Sequence, residues 1–190
     1  DNIQIAKSIE SAGASIIGTG IGWHEARVPT IATDVPRAAF TWVTAEIKKH
    51  IRIPIITSNR INTPDMAEKI LSDNQSDLIS MARPWLADPY FGKKTLNQQP
   101  EKINSCIGCN QACLDHIFMN KRASCLVNPK ACYENEYKMI NTTEPKKIAV
   151  VGAGPSGLSA ATTLAERGHT VFLFDENSEI GGQFNLAKQV

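Results

Sequence analysis

The sequence predicts an α/β chain in two parallel-sheet parts joined by a cysteine-bearing connector. Three observations carry this. Apolar runs alternate three times with helical patterns over the first hundred residues, four cysteines are spaced Cys106-x2-Cys109-x3-Cys113-x11-Cys125, and Gly152-x-Gly154-x-x-Gly157 sits between a strand-like run and a helical one. The 190 residues carry 20 Lys+Arg against 19 Asp+Glu, a net charge of +1. So even a balance offers no electrostatic footprint for nucleic acid or a membrane surface. With 42% hydrophobic and 21% charged residues the chain has material for a core, which excludes disorder. No run approaches the roughly 20 apolar residues of a membrane span, and no basic stretch leads into an apolar leader. A cytoplasmic setting is expected, with cysteines that hold metal in a reducing compartment.

The first element is a helix, with Ile3, Ile5, Ala6, Ile9 and Ala12 at helical spacing and Gly13 as its stop. Ala14 to Gly20 reads as a buried strand feeding a loop. Asp34 before Val35-Pro36, followed by Ala39, Phe40, Val43 and Ile47, predicts a helix over 34–50. Pro54 to Thr57 is the second strand, Thr63-Pro64-Asp65 opens the third helix, and Leu78 to Met81 is the third strand. One helix between successive strands implies parallel strands, as in a closed eightfold barrel or an open doubly wound sheet. After Pro84 the pattern breaks into the cysteine region, and Tyr137 to Lys147 reads as a polar linker. Ile148 to Val151, Ser156 to Arg167 and Thr170 to Phe174 then read as strand, helix and strand.

The glycine motif stands in the context that gives it meaning, directly after a strand and opening a helix, with Asp175 closing the next strand 23 residues after Gly152. The glycines permit a tight turn and close backbone approach, the helix N-terminus meets a pyrophosphate, and the carboxylate accepts from a ribose hydroxyl. Gly181-Gly182-Gln183 offers a second glycine turn, which read alone is equally a plain turn. The four cysteines have the spacing of a [4Fe–4S] site. Zinc is the alternative, although structural zinc sites usually pair their ligands two and two. Cys132 is surplus and expected as a small buried hydrophobe.

Two turns, Thr57-Ser58-Asn59-Arg60 and Ser80-Met81-Ala82-Arg83-Pro84, follow consecutive strands and each carries an arginine. In a barrel such turns form a phosphate site; outside one, either arginine is a surface ion-pair partner. Gly20-Ile21-Gly22-Trp23-His24-Glu25-Ala26-Arg27 follows the first strand, where a histidine serves as general acid or simply satisfies a backbone carbonyl.

These stretches together resemble the old yellow enzyme-like iron–sulfur flavoproteins, above all the NADPH-dependent 2,4-dienoyl-CoA reductases. The most specific are Gly20 to Ala32, Cys106 to Cys125 and Ile180 to Val190. The resemblance covers the whole chain and implies that residues 1–100 are the last three units of an FMN-binding TIM (β/α)8 barrel. Residues 101–140 would be a [4Fe–4S] segment, and 141–190 the start of a Rossmann-like FAD-binding domain. It implies electron flow from NADPH through FAD, the cluster and FMN to an acyl-CoA substrate, in β-oxidation of unsaturated fatty acids. His24 would join in proton delivery, and His24, Glu25, Ala26 and Arg27 would line the substrate. Arg60, Ala82 and Arg83 would bind FMN, and Cys106, Cys109, Cys113 and Cys125 the cluster. Gly152, Gly154, Gly157, Asp175 and Gln183 would contact FAD.

A barrel needs eight units and about 250 residues, and three strands are counted here. The family's proton-delivering tyrosine has no match among Tyr90, Tyr133 and Tyr137. Opening at Asp1 inside a helical pattern, the sequence reads as an internal fragment, expected to be inactive alone. A 2-enoate reductase of the same family is the runner-up. An electron-transfer module without catalysis is the reading from another class.

Overall fold

The computed structural model describes residues 1–23 and 25–187, which fall into two compact units, Asp1–Glu134 and Asn135–Val190. In the first unit, α1 (Asn2–Ser11) stops where Gly13 turns to φ +93, its N–H bonding the Glu10 carbonyl while Ala14 N–H reaches Ile9. β1 (Ile17–Gly18), α2 (Thr41–Lys48), β2 (Ile55–Thr57), α3 (Pro64–Ser72) and β3 (Leu78–Ile79) follow in alternation. The three strands pair in parallel in the order β1-β2-β3, with Ile17 opposite Ile55 and Ile56 opposite Leu78. Ala6 of α1, Ile47 of α2, Ile51 and Ile55 of β2 form the buried core, with Ile17, Val43 and Ile53 packed against it. The stripes read from the sequence are buried at Ile47 of α2 and Ile70 of α3, whereas in α1 only Ala6 is buried and Ile5 and Ile9 are exposed.

Two boundaries differ from the sequence reading. Only Ile17–Gly18 of the Ala14 to Gly20 run is in ladder pairing, since the turn at Gly13 occupies its start. The helix expected over 34–50 begins only at Thr41. Ala38 sits at φ +57, outside right-handed helix, and its N–H bonds the Arg60 carbonyl at 2.9 Å.

Beyond β3 the sequence offers no periodicity, yet the chain forms α4 (Arg83–Ala87), α5 (Phe91–Leu96) and a 3-10 turn, Pro100–Lys102. Asp88 pins this stretch. Its carboxylate, 1% exposed, accepts from Lys94 Nζ at 2.5 Å and from the N–H groups of Tyr90 and Asn104 at 2.9 Å. The cysteine segment that follows is irregular apart from α6 (Leu114–Phe118) and a bridge between Cys125 and Asn128.

In the second unit β4 (Lys147–Val151) pairs in parallel with β5 (Thr170–Phe174) along all five residues, with α7 (Pro155–Glu166) between them. A last short helix, α8, spans Phe184–Ala187. The polar stretch before β4 is bound to this unit. Thr142 N–H donates to the Arg167 carbonyl at 2.8 Å, Arg167 Nε to the Ile140 carbonyl at 3.3 Å, and Lys146 N–H to His169 Nδ1 at 3.2 Å.

Candidate functional site

In the first unit the carboxyl ends of the strands open on a cleft of about 690 Å³, mouth included, lined by Ser58 to Ile61, Ser80 to Pro84, Thr30 and Ile31. Arg60, Ala82 and Arg83 are all in its wall. Beneath it a chain of hydroxyls ties strands to helix: Thr19 meets Thr44 at 2.8 Å and Thr44, fully buried, meets Thr57 at 3.0 Å. The turn after β2 is strained, with Asn59 at φ +72 and Arg60 at φ +57. Ser58 Oγ holds it by donating to the Thr19 carbonyl at 2.6 Å, and the Asn59 amide by donating to the Ile21 carbonyl.

The two arginines reach across to the chain that follows the first strand. Arg60 Nε donates to the Val35 carbonyl at 2.9 Å and Nη2 to the Thr33 carbonyl at 3.3 Å; Arg83 Nη1 donates to the Ile31 carbonyl at 3.0 Å and to Asn110 Oδ1. Burial first, and then the Arg83 charge, pull the Arg60 guanidinium below its ordinary pKa. Two cations in one cleft wall are an arrangement that an anionic group relieves.

Of the stretch read as substrate-lining, His24 lies outside the described residues. Glu25, Ala26 and Arg27 are exposed in a turn, where Ala26 N–H bonds the Trp23 carbonyl and Glu25 accepts from Trp23 Nε1 at 3.3 Å. None of the three lines the strand-end cleft.

Cys106, Cys109, Cys113 and Cys125 come together around one recess, with Leu86, Ile107, Ala112, Leu126 and Val127 as its apolar lining. All four are free and half-buried. Burial pushes the Cys125 thiol up, the N–H groups of Val127 and Asn128 pull against it, and nearby Cys106 and Cys109 push further. Among the described residues no three His, Cys, Asp or Glu groups gather to hold a single metal ion. A cluster, whose thiolates stand on separate irons, asks for a wider cage. Cys132 is exposed and at φ +64, which corrects its reading as a small buried hydrophobe.

Distant side chains that the sequence reading missed hold the cysteine loop. Asn62 Nδ2 donates to the Cys106 carbonyl at 2.6 Å, the Thr33 hydroxyl to the Ile107 carbonyl, and Asn128 Nδ2 to the Leu86 carbonyl at 3.0 Å. Gly108, at φ +70, leaves room for Arg60, since a Cβ there would stand 2.6 Å from Arg60 Nη1.

In the second unit Gly152 turns at φ +99 and Gly157 crosses so close that a Cβ would lie 1.8 Å from the Gly152 carbonyl oxygen. Asp175 closes the loop from the end of β5, Oδ2 accepting from Ala153 N–H at 2.6 Å and Oδ1 from Asn177 N–H at 2.8 Å. The Ala153 N–H and then Asn177 hold this carboxyl below the usual range. The second glycine turn leans on the first: Gly181 N–H bonds the Ala153 carbonyl at 2.8 Å, and a Cβ on Gly182 would meet Gly154 Cα at 3.2 Å. Gly152 and Gly154 thus turn the chain into α7, Gly157 sits in its first turn against the Gly152 carbonyl, Asp175 closes the site from the end of β5, and Gln183 follows the second glycine turn. Such a loop accepts a pyrophosphate on backbone N–H groups.

Residues 1–102 match the NADH:flavin oxidoreductase / NADH oxidase family, and residues 150–188 match the NAD(P)-binding Rossmann-like domain. The chain therefore belongs to the NADH:flavin oxidoreductase / NADH oxidase family, on an α/β fold. It is 46% identical to a metal reductase of Desulforamulus reducens over 95% of this chain and 27% of that protein. It is 38% identical to an NADH oxidase of Thermoanaerobacter brockii over 97% of this chain and 29% of that one. Among solved structures, a 2-naphthoyl-CoA reductase in complex with 2-naphthoyl-CoA superposes with a TM-score of 0.91 at 36% identity, covering 97% of this chain and 28% of that one. The chain thus spans between a quarter and a third of the length of these relatives. No helix among the described residues is long and apolar enough to cross a membrane.

Proposed function

We propose that this chain is the cofactor-bearing middle of a cytoplasmic reductase that takes electrons from NADPH and saturates a conjugated carbon–carbon double bond of a 2,4-dienoyl-CoA thioester, serving β-oxidation of unsaturated fatty acids. The observation that carries the reading is Arg83, which lines both the strand-end cleft and the four-cysteine recess. One side chain borders a site for a phosphate and a site for a redox centre. In this reading residues 1–100 are the last three units of an FMN-binding (β/α)8 barrel, 101–140 the cluster segment and 141–190 the start of an FAD-binding domain.

Arg60, Ala82 and Arg83 form the wall that takes the FMN phosphate end, with two arginines in one cleft lining. The four cysteines fit a [4Fe–4S] cluster: they are free, half-buried and walled by apolar residues around one recess. Gly152, Gly154 and Gly157 admit the FAD pyrophosphate, and Asp175, whose carboxylate has lone pairs left beyond its bonds to Ala153 and Asn177, accepts from the ribose beside Gln183. His24 delivers a proton, with Glu25, Ala26 and Arg27 along the substrate. When bound, FMN and FAD handle electron pairs and the cluster passes single electrons between them.

A CoA thioester is favoured by the 2-naphthoyl-CoA reductase likeness. A free enoate is the second reading, favoured by 28% identity to a cinnamate reductase of Clostridium sporogenes over 96% of this chain and 28% of that protein. Steady-state assays of the full-length protein with NADPH and NADH against a 2,4-dienoyl-CoA and a 2-enoate decide between them. Dienoyl-CoA reduction with NADPH is expected; enoate reduction without it gives the second reading.

A further inference from the structure

Arg60 is turned away from a purely phosphate-binding role. Its guanidinium is wedged between the 33–35 strap and the cysteine loop: Nε and Nη2 bond the carbonyls of Val35 and Thr33, and Nη1 occupies the space that Gly108 leaves empty. The strap is in turn fastened to the loop, because the Thr33 hydroxyl donates to the Ile107 carbonyl. Gly108 lies between Cys106 and Cys109, so the charge stands over the tightest part of the ligand set. Arg60 also faces Cys106 electrostatically. A half-buried cation held by two carbonyls cannot swing into solvent, and its field on the recess is only partly screened.

We propose that Arg60 is a positioning and redox-tuning residue of the four-cysteine site, fixing the Cys106–Cys109 turn and raising the reduction potential of the cluster bound there. The proposal rests on the reading of the recess as a [4Fe–4S] site. A fixed positive charge favours the more negative, reduced state of any centre beside it, and cluster potentials respond to local charge and hydrogen bonding.

The test is a redox titration of the cluster signal by electron paramagnetic resonance in the full-length protein, with iron, acid-labile sulfide and FMN counted for each variant. Arg60→Gln is expected to lower the reduced-to-oxidised ratio at fixed potential about tenfold, which is 59 mV for a one-electron couple. Arg60→Lys, which keeps the charge, is expected to stay within about threefold of the parent. Should Arg60→Gln fail to accumulate, Gly108→Ala displaces the guanidinium sterically and is expected to lower the ratio in the same direction. A cluster-loaded Arg60→Gln, or Gly108→Ala in its place, with the parent's midpoint overturns the proposal. Equal shifts in the Gln and Lys variants reduce Arg60 to a structural part and overturn the tuning. Absence of acid-labile sulfide from the parent protein instead overturns the cluster reading itself, so the two failures are told apart.

Discussion

The amide of Asn62 donates to the carbonyl of Cys106 at 2.6 Å, joining the turn after β2 to the first cysteine across 44 residues of chain. Asn62 is 5% exposed, and its Oδ1 is buried without a hydrogen-bond partner among the described residues. Burying an unpaired amide oxygen is costly, so the bond to Cys106 must offset that cost as well as its own ordering. Asn62→Ala should destabilise the loop by about 1–3 kcal/mol. The expected outcome is faster loss of iron to a chelator with overall folding retained, read by absorbance decay beside circular dichroism.

Asp88 and Lys94 make a second pin, below the cysteine segment. Burial raises the Asp88 carboxyl, but the Lys94 ammonium and the N–H groups of Asn104 and Tyr90 outweigh it, so the pKa lies below its ordinary value. A carboxylate with a depressed folded-state pKa contributes stability above the unfolded value of about 3.9, and loses it as pH falls through the lower folded value. Asp88→Ala should cost about 1–3 kcal/mol by leaving the Tyr90 and Asn104 N–H groups without their acceptor and Lys94 with only the Lys102 carbonyl. Urea melts from pH 7 downward should show the parent losing stability below about pH 4, with a shallower slope in the variant.

Gly157→Ala puts a methyl group into the Gly152 carbonyl, and backbone cannot step aside as a side-chain end can. Overpacking of this kind costs about 1–3 kcal/mol. The full-length variant should lose FAD and keep FMN, since the glycine loop lies in the second unit and the strand-end cleft in the first. Chromatography of the released flavins reads this directly.

Arg83→Ala should do the opposite. Removing a charged donor to the Ile31 carbonyl and Asn110 costs about 1.5–3 kcal/mol and frees the strap and the cysteine loop together. FMN affinity is expected to fall about tenfold or more, with a faster loss of iron and FAD content unchanged. Loss of FMN with a fully stable cluster would show that the shared wall carries no coupling.

The alternating architecture was legible because period is a local signal: α1, α3 and α7 span two turns or more and announce themselves by apolar spacing, Pro64 at a helix start, and Gly13 at a stop. α4 and α5, at five and six residues, are too short to show a stripe, and their anchor is one buried carboxylate whose partners are read only in three dimensions. The four cysteines stood out by spacing. The residues that hold them did not, because Thr33 reaches Ile107 across 74 residues and Asn110 reaches Ile31 across 79. The start of α2 was misread because Asp34-Val35-Pro36 has the form of a helix start, whereas the carbonyl of Val35 is held by Arg60.

The most direct test of the account is a count of iron, acid-labile sulfide and flavins in the anaerobically purified full-length protein. About four iron and four sulfide per chain are expected, with one FMN and one FAD, as a [4Fe–4S] flavoprotein requires. Stoichiometric zinc without acid-labile sulfide, or a single flavin type, would contradict it.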